Sequence, residues 1–86
     1  MIIRLTSCEI ETFNKLPIGS SHDCIFSDDE SGEIFAVELD KKKGETAFEF
    51  ANRCAEIAFE NFDESNLVFE EMVTSMIAEI LGYDTF

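Results

Sequence analysis

His22-Asp23-Cys24 sets an imidazole, a carboxylate and a thiol side by side, the groups that nucleophilic hydrolysis would use. Adjacent residues of a strand point to opposite faces, so the three cannot converge as a triad. His22 and Cys24 share a face and could offer two ligands to a metal. A structural zinc takes four, and no second pair has suitable spacing, so no metal is expected. The next cluster, Asp28-Asp29-Glu30-Ser31-Gly32-Glu33, has the acidity of a calcium loop. An EF-hand loop carries Asp at its first, third and fifth places, Gly at the sixth and Glu at the twelfth. Counted from Asp28, the fifth is Gly32, the sixth Glu33 and the twelfth Leu39. The stretch therefore reads as a solvated acidic turn. There is no Gly-rich phosphate loop, no Gly-x-Ser-x-Gly and no metal-spaced pair of histidines. A catalytic pair of carboxylates needs a concave pocket, for which a chain of 86 residues leaves little room. The expectation is a non-enzyme with no catalytic residue, no cofactor and no metal.

What the chain has in excess is acid. Nineteen Asp and Glu stand against six Lys and Arg, a net charge of −13. Residues 1–43 hold nine acids and five bases, and residues 44–86 hold ten acids and one base. Such a field repels nucleic acid and anionic membrane and attracts basic protein surfaces. Solubility alone accounts for a charge of about −5 to −8 on a small domain, so the observed value exceeds it. The run Lys41-Lys42-Lys43 holds half of the bases, but it sits among Asp40, Glu45 and Glu49 and offsets them locally. Phosphate binding through it would face net repulsion.

Glu45–Phe62 is the stretch around which the chain is organised. Wound at ~100° per residue, its Ala and Phe residues with Ile57 and Cys54 fill an arc of roughly 200°. Asn52, Glu56, Glu49, Glu60 and Arg53 share the remainder. An arc so wide predicts a central helix covered on two sides. Thr46 with Glu49 three residues later fits a capping box at its start. Met1–Thr6 reads as a short strand, and Thr6 or Ser7 as the cap of a short helix carrying Ile10, Phe13 and Leu16, ended by Pro17. Asp23–Ser27 and Glu33–Asp40 read as a hairpin, with Phe35, Val37 and Leu39 alternating against Ile34, Ala36 and Glu38. Gly32 can take the positive φ that its turn requires. After a break capped by Asp63, a last helix is predicted from about Glu64 to Leu81, with Phe69, Met72, Val73, Met76, Ile77, Ile80 and Leu81 on one side. Leu67 and Val68 fall near its polar side. Gly82 is placed for a C-terminal cap, and Tyr83–Phe86 is a tail.

The expected architecture is one α+β domain over residues 1–86, in the order β-α-β-β-α-α. A three-stranded antiparallel sheet packs against two antiparallel C-terminal helices. Cys8, Cys24 and Cys54 are odd in number and form no C-x-x-C pair, as expected of reduced cysteines in a cytoplasmic protein. Met-Ile-Ile-Arg-Leu-Thr-Ser at the start lacks the apolar region and cleavage site of a secretion signal. The longest apolar run, Ile34–Val37, is far too short to span a bilayer.

On this frame the acids form two ridges: Glu49, Glu56 and Glu60 on the central helix, and Glu64, Glu71 and Glu79 on the last helix. Duplex DNA carries one charge per ~1.7 Å of axis, so the ~16 Å from Glu49 to Glu60 would match about ten charges where the ridge has three. One helix is no replica of a duplex. Both ridges plus the hairpin tip could still block a basic groove. The plain alternative is two solvated helix faces.

In length, acidity, lack of an active site and combination of a small antiparallel sheet with helices, the chain resembles small phage-encoded anti-defence inhibitors such as anti-CRISPR proteins. The resemblance is one of general character and fixes no residue correspondence. It implies a binding inhibitor in the host cytoplasm that occupies the basic nucleic-acid groove of a nuclease, CRISPR effector, restriction enzyme or polymerase. It implies no direct contact with nucleic acid or membrane. Asp28, Asp29, Glu30, Glu49, Glu56, Glu60, Glu64 and Glu71 would meet its Lys and Arg residues. Two other readings stand beside it. One is an oligomeric adaptor, such as a homodimer, using the surplus apolar arc near Phe48 and Phe59. The other is an immunity protein or antitoxin against a basic toxin.

Overall fold

The computed structural model describes all 86 residues, with a radius of gyration of 12.0 Å. The chain folds into three layers. Helices α1 (Ser7–Lys15) and α2 (Ala47–Asn61) cover one face of a sheet, and a short helix, α3 (Ser75–Leu81), covers part of the other. The sheet contains β1 (Ser21–Asp28), β2 (Ile34–Asp40), β3 (Leu67–Thr74) and β4 (Asp84–Thr85), in the spatial order β3-β1-β2-β4. β1 pairs antiparallel with β2 and β3, and β2 pairs parallel with β4. The α+β class holds. The sheet is four-stranded and mixed, where three antiparallel strands were expected.

The ends of the helices are set by local chemistry that is readable in the chain. Thr6 and Thr46 each accept the N–H three residues on, from Glu9 and Glu49, whose carboxylates accept from the threonine N–H in return. Leu16, forced out of helical ψ by Pro17, ends α1. Gly82 closes α3 with φ +73°, its N–H donating to the carbonyls of Ala78 and Glu79.

The main core lies between α2 and the sheet. Phe13, Phe26, Phe35, Phe50, Cys24, Cys54 and Val37 are fully buried there. Ala51, Ala55 and Ala58 bring the α2 backbone close to the strands, and Arg53 leaves the helix to pair with Glu45. On the other face, Ala78 of α3 packs on Ile25 and Ala36, with Val73 and Tyr83 at the edge.

Three expectations are corrected. Met1–Thr6 is not a strand. It makes no ladder bonds, and Ile3 and Leu5 lie against the core while Ile2 stays exposed. The predicted helix from Glu64 to Leu81 is three elements: a 3₁₀ turn (Glu64–Asn66) capped by Asp63, strand β3 and then α3. A bulge explains the error. Phe26 pairs with Phe69 but Ile25 pairs with Glu71, so Glu70 is extra. Core-facing residues therefore run Leu67, Phe69, Met72, and the step of three imitates helical spacing. Finally, Tyr83–Phe86 is no free tail. Phe86 donates its N–H to Ala36 and accepts from Glu38, and its ring meets Phe35 and Phe62 edge-on.

Candidate partner-binding surfaces

β1 separates the groups of His22-Asp23-Cys24 as its pleat requires. His22 and Cys24 point into the main core and Asp23 to the α3 side, where it accepts from the Ser75 hydroxyl at 2.6 Å. His22 is 1% exposed, lies between the rings of Phe13 and Phe50, and has no hydrogen-bond partner on either ring nitrogen. Burial lowers its pKa to about 4. Glu9 acts against that shift and Lys41 with it. The Cys24 thiol is pushed up by its hydrogen bond with Cys54 and by burial, so it stays protonated and is a poor nucleophile. No group of three His, Cys, Asp or Glu side chains is arranged to hold a metal.

The acids are mostly free on the surface. Fifteen of the nineteen are exposed, and the one ion pair in the molecule joins Arg53 to Glu45. They are not arranged as two helical ridges. Glu64 lies in the 3₁₀ turn, Glu71 on β3 and Glu79 on α3, so the second ridge does not exist as one surface line. Instead, the hairpin tip and the exit of α2 are tied together. The Asp29 N–H donates to the Asn66 carbonyl, and the Asn66 amide donates to the Glu30 carboxylate, both at 2.9 Å. Asp29, Glu30, Glu60 and Glu64 thus gather at one end with Glu33 and Asp63, all exposed. Glu56 lies one turn back from Glu60 and borders, with Glu64, a cavity of about 300 Å³ under Met1 and Ile3.

The remaining acids named above have other settings. Asp28 is buried, and its Oδ1 accepts the N–H groups of Glu30 and Ser31, so it shapes the tip. Glu49 is exposed but serves the capping box at the far end of α2. Glu71 sits beside Ile25 on the α3 side.

Four of the six bases, Lys15, Lys41, Lys42 and Lys43, collect at the opposite end. Lys41 donates to the carbonyls of Phe13 and Leu16, neutralising the C-terminal end of α1 beside Lys15. Lys42 and Lys43 precede the α2 N-terminus. The charges therefore add to the α2 macrodipole, whose C-terminal end is already negative. The last turn of α2 has no base to offset Glu60.

Sequence reasoning missed a second surface. A cavity of about 600 Å³ opens between α3, β4 and the sheet, lined by Asp23, Glu38, Ser75, Glu79, Tyr83 and Thr85 among others. Asp23 and Glu38 are cross-strand partners and so share this face. Burial raises the pKa of Asp23, the Ser75 hydrogen bond opposes this, and the charge of Glu38 adds to it. The signal in the chain was a single acid inside an apolar run, Cys24-Ile25-Phe26 on one side and His22 on the other. α3 also turns Met76, Ile77, Ile80 and Leu81 to solvent, with Met76, at the cavity, 71% and Ile80 77% exposed. Phe48, assigned above to an oligomer face, is 46% exposed, whereas Phe59 is partly buried against the core.

Comparison with protein-family models, curated proteins and solved structures gave no match to this chain.

Proposed function

We propose that the protein is an acidic binding inhibitor whose hairpin end occupies the basic nucleic-acid-binding surface of a nuclease or CRISPR effector, as a phage anti-defence protein would. One observation carries the reading. Asp29, Glu30, Glu60 and Glu64 are gathered at the negative end of α2, whose last turn holds no base. Glu60, in the last turn of α2, costs about 0.3–1 kcal/mol of stability there. An acid needed only for solubility serves equally well elsewhere. Gathering them against the dipole makes sense if the local field is the working part, steering a Lys- and Arg-rich surface into contact. Glu56 extends the same surface along α2.

No helix is long and apolar enough to cross a membrane. The proposed site of action is the cytoplasm of the cell whose enzyme is blocked.

A tagged pull-down from lysate of the cognate host, washed with rising salt and read by mass spectrometry, tests the proposal. The expected product is a nucleic-acid enzyme retained at low salt and released by high salt. Recovery of no nucleic-acid enzyme, or of one held equally firmly at all salt concentrations, contradicts it.

A further inference from the structure

We propose that the cavity between α3 and the sheet receives an arginine side chain from an amphipathic segment of a partner protein, whose apolar residues cover the outer face of α3. This surface lies on the sheet face away from α2 and does not depend on the hairpin end.

Three observations meet here. The floor of the cavity is Asp23, 1% exposed, with one donor, the Ser75 hydroxyl, on Oδ1 and no protein donor on its second oxygen. An ionised carboxylate can accept about four hydrogen bonds, so Asp23 keeps acceptor capacity facing the cavity. Glu38 stands across the strand pair and Glu79 on the wall, and no Lys or Arg lines the space. A cation entering it would meet three carboxylates, and Tyr83 offers a ring beside them. A planar guanidinium suits this set better than an ammonium, because it donates in a fork and stacks on aromatic faces. Then there is the rim. Met76 lines the cavity, and it and Ile80, one turn on, are 71% and 77% exposed, an uncovered apolar strip of α3 beside the opening. Cavity and face together fit an occupant with one guanidinium flanked by apolar side chains.

Charge complementarity selects the occupant. A second copy of this chain brings −13 and no cation on this face, and a symmetric contact would set Glu38 and Glu79 of both copies against each other. A free small cation would leave the apolar face bare.

The chain carries its own reporter, because Tyr83 is the sole tyrosine and there is no tryptophan. Random peptides lacking Tyr and Trp are displayed and selected on the full-length protein. The expected enriched peptides carry one Arg between apolar residues and change Tyr83 emission saturably. Replacing that Arg with citrulline weakens binding at least tenfold, as do the exposed-site variants E38Q/E79Q and I80S. Asp23→Asn weakens binding without lowering the melting temperature, since its amide oxygen still accepts from the Ser75 hydroxyl while the charge is gone. Reversing the hairpin-end acids changes peptide affinity less than threefold, which separates this proposal from the one above. Three results would overturn it: no enriched family, peptides that bind E38Q/E79Q as tightly as wild type, or wild-type self-association that I80S abolishes.

Discussion

Replacing His22 with Leu is expected to remove most of the acid sensitivity of the fold between pH 6.5 and 4. In the folded chain the imidazole is held neutral down to about pH 4 by burial between Phe13 and Phe50, whereas in the unfolded chain it takes a proton near 6.5. The folded pKa is the lower one, so the unfolded state binds the extra proton first. Stability is fully present above 6.5 and is lost as pH falls towards 4. At about 1.4 kcal/mol per unit, the loss is ~3 kcal/mol, against the 5–15 kcal/mol typical of whole domains. Asp23 works in the opposite sense. Its pKa is raised on folding, so protonation there favours the folded state as pH falls. It titrates in both proteins, and the difference between wild type and His22→Leu isolates the imidazole. Leu is close to His in volume and leaves no ring nitrogen unpaired, so the variant is also expected to gain about 1 kcal/mol at pH 7. Urea unfolding of both proteins from pH 7 to 4 checks this. Parallel stability curves would show that His22 finds a hydrogen-bond partner in solution.

The second large effect is on binding. The variant D29K/E30K/E60K/E64K adds two positive charges at each of four positions and takes the net charge from −13 to −5. All four side chains are exposed, and Lys at position 60 complements the α2 dipole. E30K gives up the exposed hydrogen bond from Asn66, which the gain at position 60 offsets, so the melting temperature is expected to stay within a few degrees of wild type. Affinity for the captured enzyme is expected to fall at least 100-fold at 0.15 M salt, mainly through the association rate. The gap between variant and wild type should narrow in 1 M salt, where screening shortens to about 3 Å. Stopped-flow association and equilibrium titration at both salt concentrations measure it. A variant that binds within threefold of wild type would remove the hairpin end from the interface.

Both predictions depend on placements that the chain discloses unequally. The two capping boxes, the break at Pro17 and the Gly82 cap were legible because each rests on residues within four positions of one another, and the hairpin because its strands flank a short turn closed at Gly32. The strand β3 was not. The extra Glu70 shifts the inward positions and makes a strand and a short helix read as one amphipathic helix. Leu67 and Val68, misplaced on the polar side of that helix, were the clue that the period was wrong. Met1–Thr6 has the composition of a strand, but the sheet edges are taken by β3 and β4, and β4 is only two residues long. The acids were legible as an excess. Their gathering at one end was not, because it depends on Asn66 reaching Glu30 across 36 residues. Asp23 was read only as a member of a triad that could not form. Its real setting requires knowing that α3 folds back over β1.

The central claim is that this protein and nucleic acid compete for one basic surface. The most direct measurement is equilibrium competition on the captured enzyme, with a fluorescent oligonucleotide substrate displaced by increasing amounts of the protein. The account predicts complete displacement, with an apparent affinity that weakens in proportion to oligonucleotide concentration and is lost in D29K/E30K/E60K/E64K. A stable ternary complex, in which the oligonucleotide stays bound while the protein saturates, would contradict it.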